Sequence, residues 1–186
     1  MGKLYFKYGA MGSSKTASLL MTKFNYEQKG FKVLLLKPSV DDRDGTTTVM
    51  SRMGLSSDEA IPVAPDEAIT PILEQSQADV ILIDEAQFLK EAQVDELHDI
   101  VDRFDVPVIC YGLLTDFTTH MFEGSKRLVE ISESLMEIKT VCKCGRKATV
   151  NARIDENGKV IKTGEQIVLG GDDKYTSMCY RCWSKA

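Results

Sequence analysis

The sequence predicts an α/β protein in which a parallel sheet carries helices on both faces and is followed by a small C-terminal β zinc ribbon. Short apolar runs alternate with amphipathic helical patterns over residues 1–140, the order that builds parallel sheets. A loop of small residues joins the first strand pattern to the first helix pattern, and two close cysteine pairs lie beyond residue 141. We therefore expect two domains, residues 1–140 and residues 141–186.

The first strand, loop and helix have the layout of a phosphate-binding P-loop. In the run KLYFKYGAMGSSKT, alternating apolar residues predict a strand that ends in small residues, with a helical pattern directly after Thr16. Loop amides of this kind hold phosphates, the lysine contacts the β- and γ-phosphates, and the hydroxyl binds Mg²⁺. Ser14 stands where the second glycine of the usual pattern belongs, so an ordinary Gly/Ser turn is the alternative. The expected triphosphate-binding residues are Gly9, Ala10, Met11, Gly12, Ser13, Ser14, Lys15 and Thr16.

A second motif, DVILIDE at Asp79–Glu85, predicts a strand buried on both faces that ends in two acids. An acid at the tip of a strand beside the P-loop strand holds Mg²⁺, so we expect Asp84 to share the ion with Thr16. A strand that merely ends in surface acids is the alternative, which the P-loop upstream makes the weaker one. With this motif the predicted domain is P-loop NTPase-like, or RecA-like, and the nucleotide site extends over Asp84, Glu85, Ala86 and Gln87.

Two loops follow predicted parallel strands, where ligands of open α/β sheets bind. The first, PSVDDRDGTTT, contains Arg43 and is either a ligand loop or a solvated one. The second, Gly112–Lys126, carries Phe117 and Phe122. It predicts either a lid that excludes water or a surface loop whose aromatic side chains enter the core.

Helix and strand patterns between these motifs predict structural elements. Asp66 is expected to cap a helix that runs to about Gln77. An amphipathic pattern predicts a structural helix over Glu91–Phe104, and Cys110 lies in an apolar run that predicts a core strand.

Two cysteine pairs separated by a strand-like hairpin predict a zinc ribbon. The dipeptide Asn157-Gly158 predicts the hairpin turn, and paired thiolates on two turns are the usual ligands of structural zinc. Buried free thiols are the alternative. Because so small an element has little core, zinc would supply its stability. The expected zinc ligands are Cys142, Cys144, Cys179 and Cys182.

Composition excludes several classes of protein. The formal net charge of −5 over 186 residues gives no basic surface for nucleic acid. No signal peptide is recognised, and no apolar segment approaches the length of a bilayer span. Clustered cysteines fit metal binding in a reducing compartment. We therefore expect a cytoplasmic protein without nucleic-acid or membrane partners.

Four segments, GAMGSSKT, IDEAQF, YGLLTDF and GGDDKYTSMC, together resemble the cytosolic-type (type II) thymidine kinases of animals and most bacteria. The likeness runs from Lys3 to Trp183. It implies ATP-dependent phosphorylation of the 5′-hydroxyl of thymidine, and of deoxyuridine, to supply dTMP for DNA synthesis. It also implies Mg²⁺, structural zinc, a homotetramer and feedback inhibition by dTTP.

The resemblance assigns roles to residues of this sequence. Glu85 would be the general base, and Lys15 with the P-loop and Mg²⁺ would hold the triphosphate. Leu114 stands where some bacterial relatives have arginine. If that arginine neutralises negative charge in the transition state, then Lys15, Arg43 or Lys126 would have to do so here. The expected substrate-site residues are Met11, Arg43, Phe88, Phe117, Phe122, Gly170, Gly171 and Tyr175.

Two other functions are compatible with the sequence. The motif DEAQ is similar to helicase boxes, which would make the chain a P-loop ATPase or helicase-like fragment with a zinc ribbon. The chain is short for two RecA-like domains, and its acidic balance argues against a nucleic-acid translocase. The other function is a non-enzymatic zinc-ribbon interaction module, which would not bind nucleotide.

Overall fold

A computed structural model of the protein describes residues 2–42, 45–168 and 173–186. In chain order the elements are β1 Leu4–Tyr8, α1 Lys15–Glu27, β2 Val33–Pro38, β3 Val49–Met50, β4 Ser56–Ser57, β5 Ile61–Val63, α2 Thr70–Ser76, β6 Val80–Ile83, a 3-10 helix Ala86–Phe88, α3 Glu91–Phe104, β7 Val108–Gly112, α4 Glu123–Ile131, β8 Ser134–Glu137, β9 Val150–Ile154, β10 Val160–Ile161, β11 Tyr175–Met178 and α5 Tyr180–Lys185.

A parallel sheet of six strands, in the order β5-β2-β6-β7-β1-β8, forms the centre of the described chain. Strand β6 is buried along its whole length. Its side chains alternate, so Ile81 and Ile83 pack with α2, α3 and α4, whereas Val80 and Leu82 pack with α1. Helices therefore cover both faces, and the predicted α/β fold is confirmed.

Strand β7 lies between the P-loop strand β1 and the acidic strand β6. Val108 is in register with Leu4 on one side and with Ile81 on the other. The expectation that the acids stand on the strand beside β1 is therefore wrong. The physical reason is that β6 and β7 are both buried along their whole length, so burial favours an interior position for either strand and does not decide which of them lies beside β1.

Helix α2 begins at Thr70, so the prediction that Asp66 caps it is wrong. The carboxylate of Glu96 on α3 accepts hydrogen bonds from the backbone N–H of Ile69 at 2.9 Å and from that of Thr70 at 2.7 Å. An anion at a helix N-terminus satisfies the first N–H groups and the helix dipole. Here a neighbouring helix supplies that anion. The predicted bounds of α3 and the burial of Cys110 are confirmed.

A three-stranded antiparallel sheet, β10-β9-β11, follows the parallel sheet in the chain. The predicted hairpin turn at Asn157-Gly158 joins β9 to β10, with Gly158 in the left-handed region at φ 76°. Asn151 of β9 connects this sheet to the N-terminal part. Its Oδ1 accepts the N–H of Met11 at 2.8 Å, and its Nδ2 donates to the carbonyl of Thr115 at 2.8 Å.

The helices of the described ranges are too short or too polar to cross a bilayer. The division into two domains at residue 140 stays a prediction.

Candidate active site

A cavity of about 650 Å³ opens at the carboxyl ends of the parallel strands. Loops that follow β1, β2, β6 and β7 line it, together with residues of the C-terminal sheet. Ligands of open parallel sheets bind at this edge because the loops converge there. The cavity brings together predicted site residues from the whole length of the chain, namely Met11, Gly12, Ser14, Lys15, Thr16, Asp84, Glu85, Gln87, Phe88, Phe117, Phe122 and Tyr175.

The loop after β1 turns tightly enough to present the N-terminus of α1 to this cavity. A side chain at Gly9 would put its Cβ 2.2 Å from the carbonyl oxygen of Ile138, so only glycine fits there. Ser14 has φ 63°, in the left-handed region. That conformation is easiest for glycine, which explains why the usual pattern has glycine at this position. Lys15 is nearly buried, and its Nζ donates to the carbonyl of Ala10 at 3.0 Å.

Asp84 lies at the end of β6 with 5% of its surface exposed. The hydroxyl of Thr16 donates to its Oδ2 at 3.0 Å, which joins the start of α1 to β6 across the intervening strand. Burial, and then the charge of Glu85, raise the pKa of the Asp84 carboxyl to about 7. A desolvated carboxylate beside a hydroxyl is stabilised by a divalent cation, so Thr16 and Asp84 fit the ligand chemistry of Mg²⁺.

Glu85 faces the cavity from a strained backbone. Its φ of 49° and ψ of 38° are left-handed values, which cost free energy for a residue other than glycine and cluster at functional sites. The amide of Gln87 orients the carboxylate, since its Nε2 donates to Glu85 Oε2 at 2.5 Å. The Oε1 of Gln87 accepts the N–H of Leu113 at 3.0 Å. This chain of hydrogen bonds fixes one carboxylate oxygen and leaves the group beside the phosphate-binding loop.

Apolar and aromatic side chains form the wall away from the phosphate-binding loop. The rings of Phe88 and Phe122 meet edge to face with their centroids 5.8 Å apart. Phe117 is 1% exposed. The turn that carries it is held by Asp116, whose Oδ1 accepts N–H groups from Thr118 at 2.8 Å and His120 at 3.1 Å. The loop over Gly112–Lys126 therefore has its aromatic side chains buried in this structure, and its opening as a lid stays a prediction.

Some predicted site residues do not reach the cavity. Gly9, Ala10, Ser13 and Ala86 form backbone behind it rather than its lining. Arg43, Gly170 and Gly171 lie outside the described residues.

Several lining residues were not predicted from the sequence. Lys37 forms a buried ion pair with Asp41 at 3.3 Å and donates to the carbonyl of Thr48 at 3.1 Å, which connects both residues to the end of β2. Asn151 joins the P-loop to the loop after β7, as described above. The available signals were a lysine directly after the apolar run of KVLLLK and polar residues that alternate with apolar ones in TVNARI. Arg52 and Gln166 are among the other lining residues that were not predicted.

The four clustered cysteines come together in one place. Their sulfur atoms all lie within 4.8 Å of one another, and those of Cys144 and Cys179 are 3.6 Å apart. Tetrahedral zinc with bonds of about 2.3 Å requires sulfur separations of about 3.8 Å, so the set fits that ion. The turn that carries Cys142 and Cys144 is closed by a hydrogen bond from the N–H of Gly145 to the carbonyl of Cys142 at 2.8 Å. The second pair flanks the start of α5.

Comparison with known proteins decides the family. The family model described as thymidine kinase matches residues 2–183. The chain belongs to the thymidine kinase family. A relative from Shewanella oneidensis named thymidine kinase is 43% identical over 182 residues, which cover 96% of this chain and 95% of the relative. Thymidine kinases from Vibrio parahaemolyticus and Yersinia pseudotuberculosis are 43% and 42% identical and span 100% of this chain.

Family membership confirms the resemblance and identifies the chain as a phosphotransferase. The matched range includes the P-loop, the acid pair and the four clustered cysteines, so one family accounts for all three motifs. The helicase-fragment and non-enzymatic alternatives are therefore set aside.

The raised pKa of Asp84 predicts a pH-dependent stability. In magnesium-free buffer the folded protein keeps the Asp84 proton up to about pH 7, whereas the unfolded chain loses it near 3.8. The folded state binds the extra proton between these values, so the free energy of unfolding should fall as pH rises through this window. At about 1.4 kcal/mol per pKa unit, Asp84 changes the free energy of unfolding by a few kcal/mol in total across this window. Urea unfolding of wild type and Asp84→Asn at several pH values measures the difference.

The control for this experiment is Glu74→Gln, which replaces an exposed carboxylate on α2. Its pH dependence should match that of the wild type. Parallel curves for wild type and Asp84→Asn between pH 4 and pH 7 would contradict the raised pKa.

Proposed function

We propose that this protein transfers the γ-phosphate of ATP to the 5′-hydroxyl of thymidine to give dTMP, and that it accepts deoxyuridine. The observation that carries the proposal is the joining, in one cavity, of a phosphate-binding loop, an oriented carboxylate and an aromatic wall. Membership of the thymidine kinase family supports the reaction, and dTMP formed in this way would serve DNA synthesis.

The phosphate-binding half of the site has little covalent chemistry to perform. Phosphoryl transfer needs alignment and charge neutralisation, which the loop amides and Lys15 would supply to the triphosphate. Thr16 and Asp84 would hold Mg²⁺, which neutralises charge on the phosphate oxygens when it is bound. Release of the Lys15 ammonium from the carbonyl of Ala10 would let it contact phosphate, since a charged partner is the stronger acceptor.

Glu85 would accept the proton of the 5′-hydroxyl as that oxygen attacks. Its Oε2 accepts a hydrogen bond from Nε2 of Gln87 at 2.5 Å, which orients the carboxylate. An oriented, half-buried carboxylate is suited to general base catalysis because it needs little reorganisation at the moment of reaction. In this proposal Glu85 is the catalytic residue and Gln87 orients it.

The base would lie between Met11 and the aromatic wall. Phe88, Phe117 and Phe122 offer apolar surface for the pyrimidine ring and its methyl group. Tyr175 lines the same cavity and would shape it near the base. Arg43, Gly170 and Gly171 are also proposed to contact the substrate.

Zinc on the four cysteines would have a structural role, since four thiolates leave no open position for substrate. The protein is proposed to be a cytoplasmic homotetramer with dTTP as a feedback inhibitor. Large apolar side chains exposed on α1 and β8, Met21, Phe24, Leu135 and Met136, support association between chains. No nucleic-acid or membrane partner is proposed.

The first test is a coupled kinase assay with ATP-Mg²⁺ across the natural nucleosides. Thymidine and deoxyuridine should be phosphorylated, whereas deoxycytidine and purine nucleosides should not. A pocket that hydrogen-bonds to the base edge of thymine cannot pair with a base whose donors and acceptors are reversed. Each buried polar group that is left unpaired costs about 1–3 kcal/mol. Comparable kcat/KM for deoxycytidine and thymidine would contradict the specificity, and absence of turnover with thymidine would contradict the proposed function.

The second test replaces Glu85 by glutamine, which keeps the shape but cannot accept a proton at neutral pH. We expect kcat to fall by roughly 10²–10⁴-fold, the range of general base catalysis, with little change in ATP binding. Glu74→Gln serves as the matched control because Glu74 is exposed on α2. If calorimetry instead found a large loss of ATP-Mg²⁺ affinity, Glu85 would belong to the metal site.

The third test measures zinc. Elemental analysis of protein purified without chelators should find about one zinc per chain. Cys110 provides an internal control because it is fully buried in β7. In a thiol titration, four cysteines should therefore become reactive when zinc is removed, and the fifth should react only when the protein unfolds. Less than about a tenth of an equivalent of zinc, with activity intact, would exclude a structural metal site.

A further inference from the structure

Arg153 of β9 is a buried cation that the proposed reaction does not use. It is 7% exposed, and in the described part of the chain no carboxylate forms an ion pair with it. A buried charge is costly unless other groups compensate for lost water. Here the compensation comes from an aromatic face, with the guanidinium carbon 3.7 Å from the centroid of the Phe117 ring, and from neutral oxygen acceptors.

The hydrogen bonds of Arg153 reach two separate parts of the chain. Its Nη2 donates to the carbonyl of Glu165 at 2.9 Å and to the hydroxyl of Tyr175 at 2.9 Å. Its Nε donates to the same hydroxyl at 3.2 Å. The hydroxyl of Tyr175 in turn donates to the carbonyl of Val168 at 2.7 Å. One guanidinium thereby joins residues 165–168 to the first residue of β11.

These partners form part of the cavity wall. Gln166, Val168 and Tyr175 line the cavity, as does Phe117 from the loop after β7. Gln166 also donates from its Nε2 to Asp116 Oδ2 at 2.8 Å, which adds a second link between residues 165–168 and that loop. Arg153 therefore contacts the part of the wall that faces the proposed nucleoside, and within the described residues its hydrogen bonds go to Glu165, Gln166 and Tyr175 rather than to the phosphate-binding residues.

We propose that Arg153 is a positioning residue for the nucleoside. It acts through Phe117 and Tyr175, whose rings and backbone it holds in one arrangement, and this inference rests on the proposed thymidine kinase function. The planar guanidinium stacks on a ring while it donates in its own plane to several oxygens. Lysine offers a point charge without that fork, so it would replace the charge but only part of the geometry.

The test compares steady-state kinetics with thymidine and ATP varied separately. In Arg153→Met we expect KM for thymidine to rise by at least about tenfold, which corresponds to the loss of one hydrogen bond to a charged donor. We expect kcat and KM for ATP to change by less than about threefold, because the phosphate-binding contacts are separate. In Arg153→Lys the KM for thymidine should lie between the value of the wild type and that of Arg153→Met. The matched control is Arg103→Met, which removes an exposed arginine from α3.

A second variant keeps the inference testable if Arg153→Met fails to fold. Tyr175→Phe removes the hydroxyl that bonds both Arg153 and Val168, while it keeps the ring. It should raise the thymidine KM several-fold, and the double variant Arg153→Lys/Tyr175→Phe should show less than the sum of the two effects, because both act on one network.

Hydrogen exchange supplies a readout that does not depend on turnover. In substrate-free protein, Arg153→Lys and Tyr175→Phe should each increase exchange at residues 163–168 and 173–178, with zinc content unchanged. Equal changes in the KM for thymidine and for ATP, or no change in either KM, would overturn the positioning role. A wild-type protein that does not phosphorylate thymidine would instead overturn the proposed function, and the exchange data would still test whether Arg153 holds this wall.

Discussion

The hydrogen bond from Thr16 to the buried carboxyl of Asp84 is the interaction on which the arrangement of the site depends. It connects the start of α1 to the end of β6 at 3.0 Å, although β7 separates β6 from the P-loop strand. For the two side chains to meet, β6 must end close to the level at which the P-loop leaves β1. The register of β1, β7 and β6 meets this need, because Phe6, Cys110 and Ile83 lie side by side near the carboxyl ends of their strands.

Close backbone contacts hold the acidic end of β6 in place. A Cβ on Gly112 would lie 2.7 Å from Oε1 of Gln87, and one on Gly124 would lie 2.6 Å from the carbonyl of Leu89. The 3-10 helix that carries Gln87 is thus enclosed between the end of β7 and the start of α4. This enclosure stabilises the left-handed conformation of Glu85, because the residues after it cannot move to relax it.

Local motifs were the part of the structure that the sequence could predict. The phosphate-binding loop, the acids after DVILI and the cysteine pairs are contiguous patterns, so each can be recognised without knowledge of the rest of the fold. Strand order could not be read in this way, because any of several apolar strands could lie beside β1. The start of α2 was missed because its stabilising anion, Glu96, comes 26 residues after Thr70. Asn151 and Arg153 were missed because polar residues in a short strand are equally typical of an exposed sheet face.

The contact between Met11 and Asn151 has a consequence for the order in which the protein assembles during synthesis. The two residues are 140 positions apart in the chain, and translation proceeds at about 5–20 residues per second, with N-terminal regions folding first. The phosphate-binding loop is therefore synthesised roughly 7–28 seconds before its partner on β9. A nascent chain can form much of the parallel sheet in that interval, but the wall facing the proposed nucleoside is completed only when β9 and β11 have emerged.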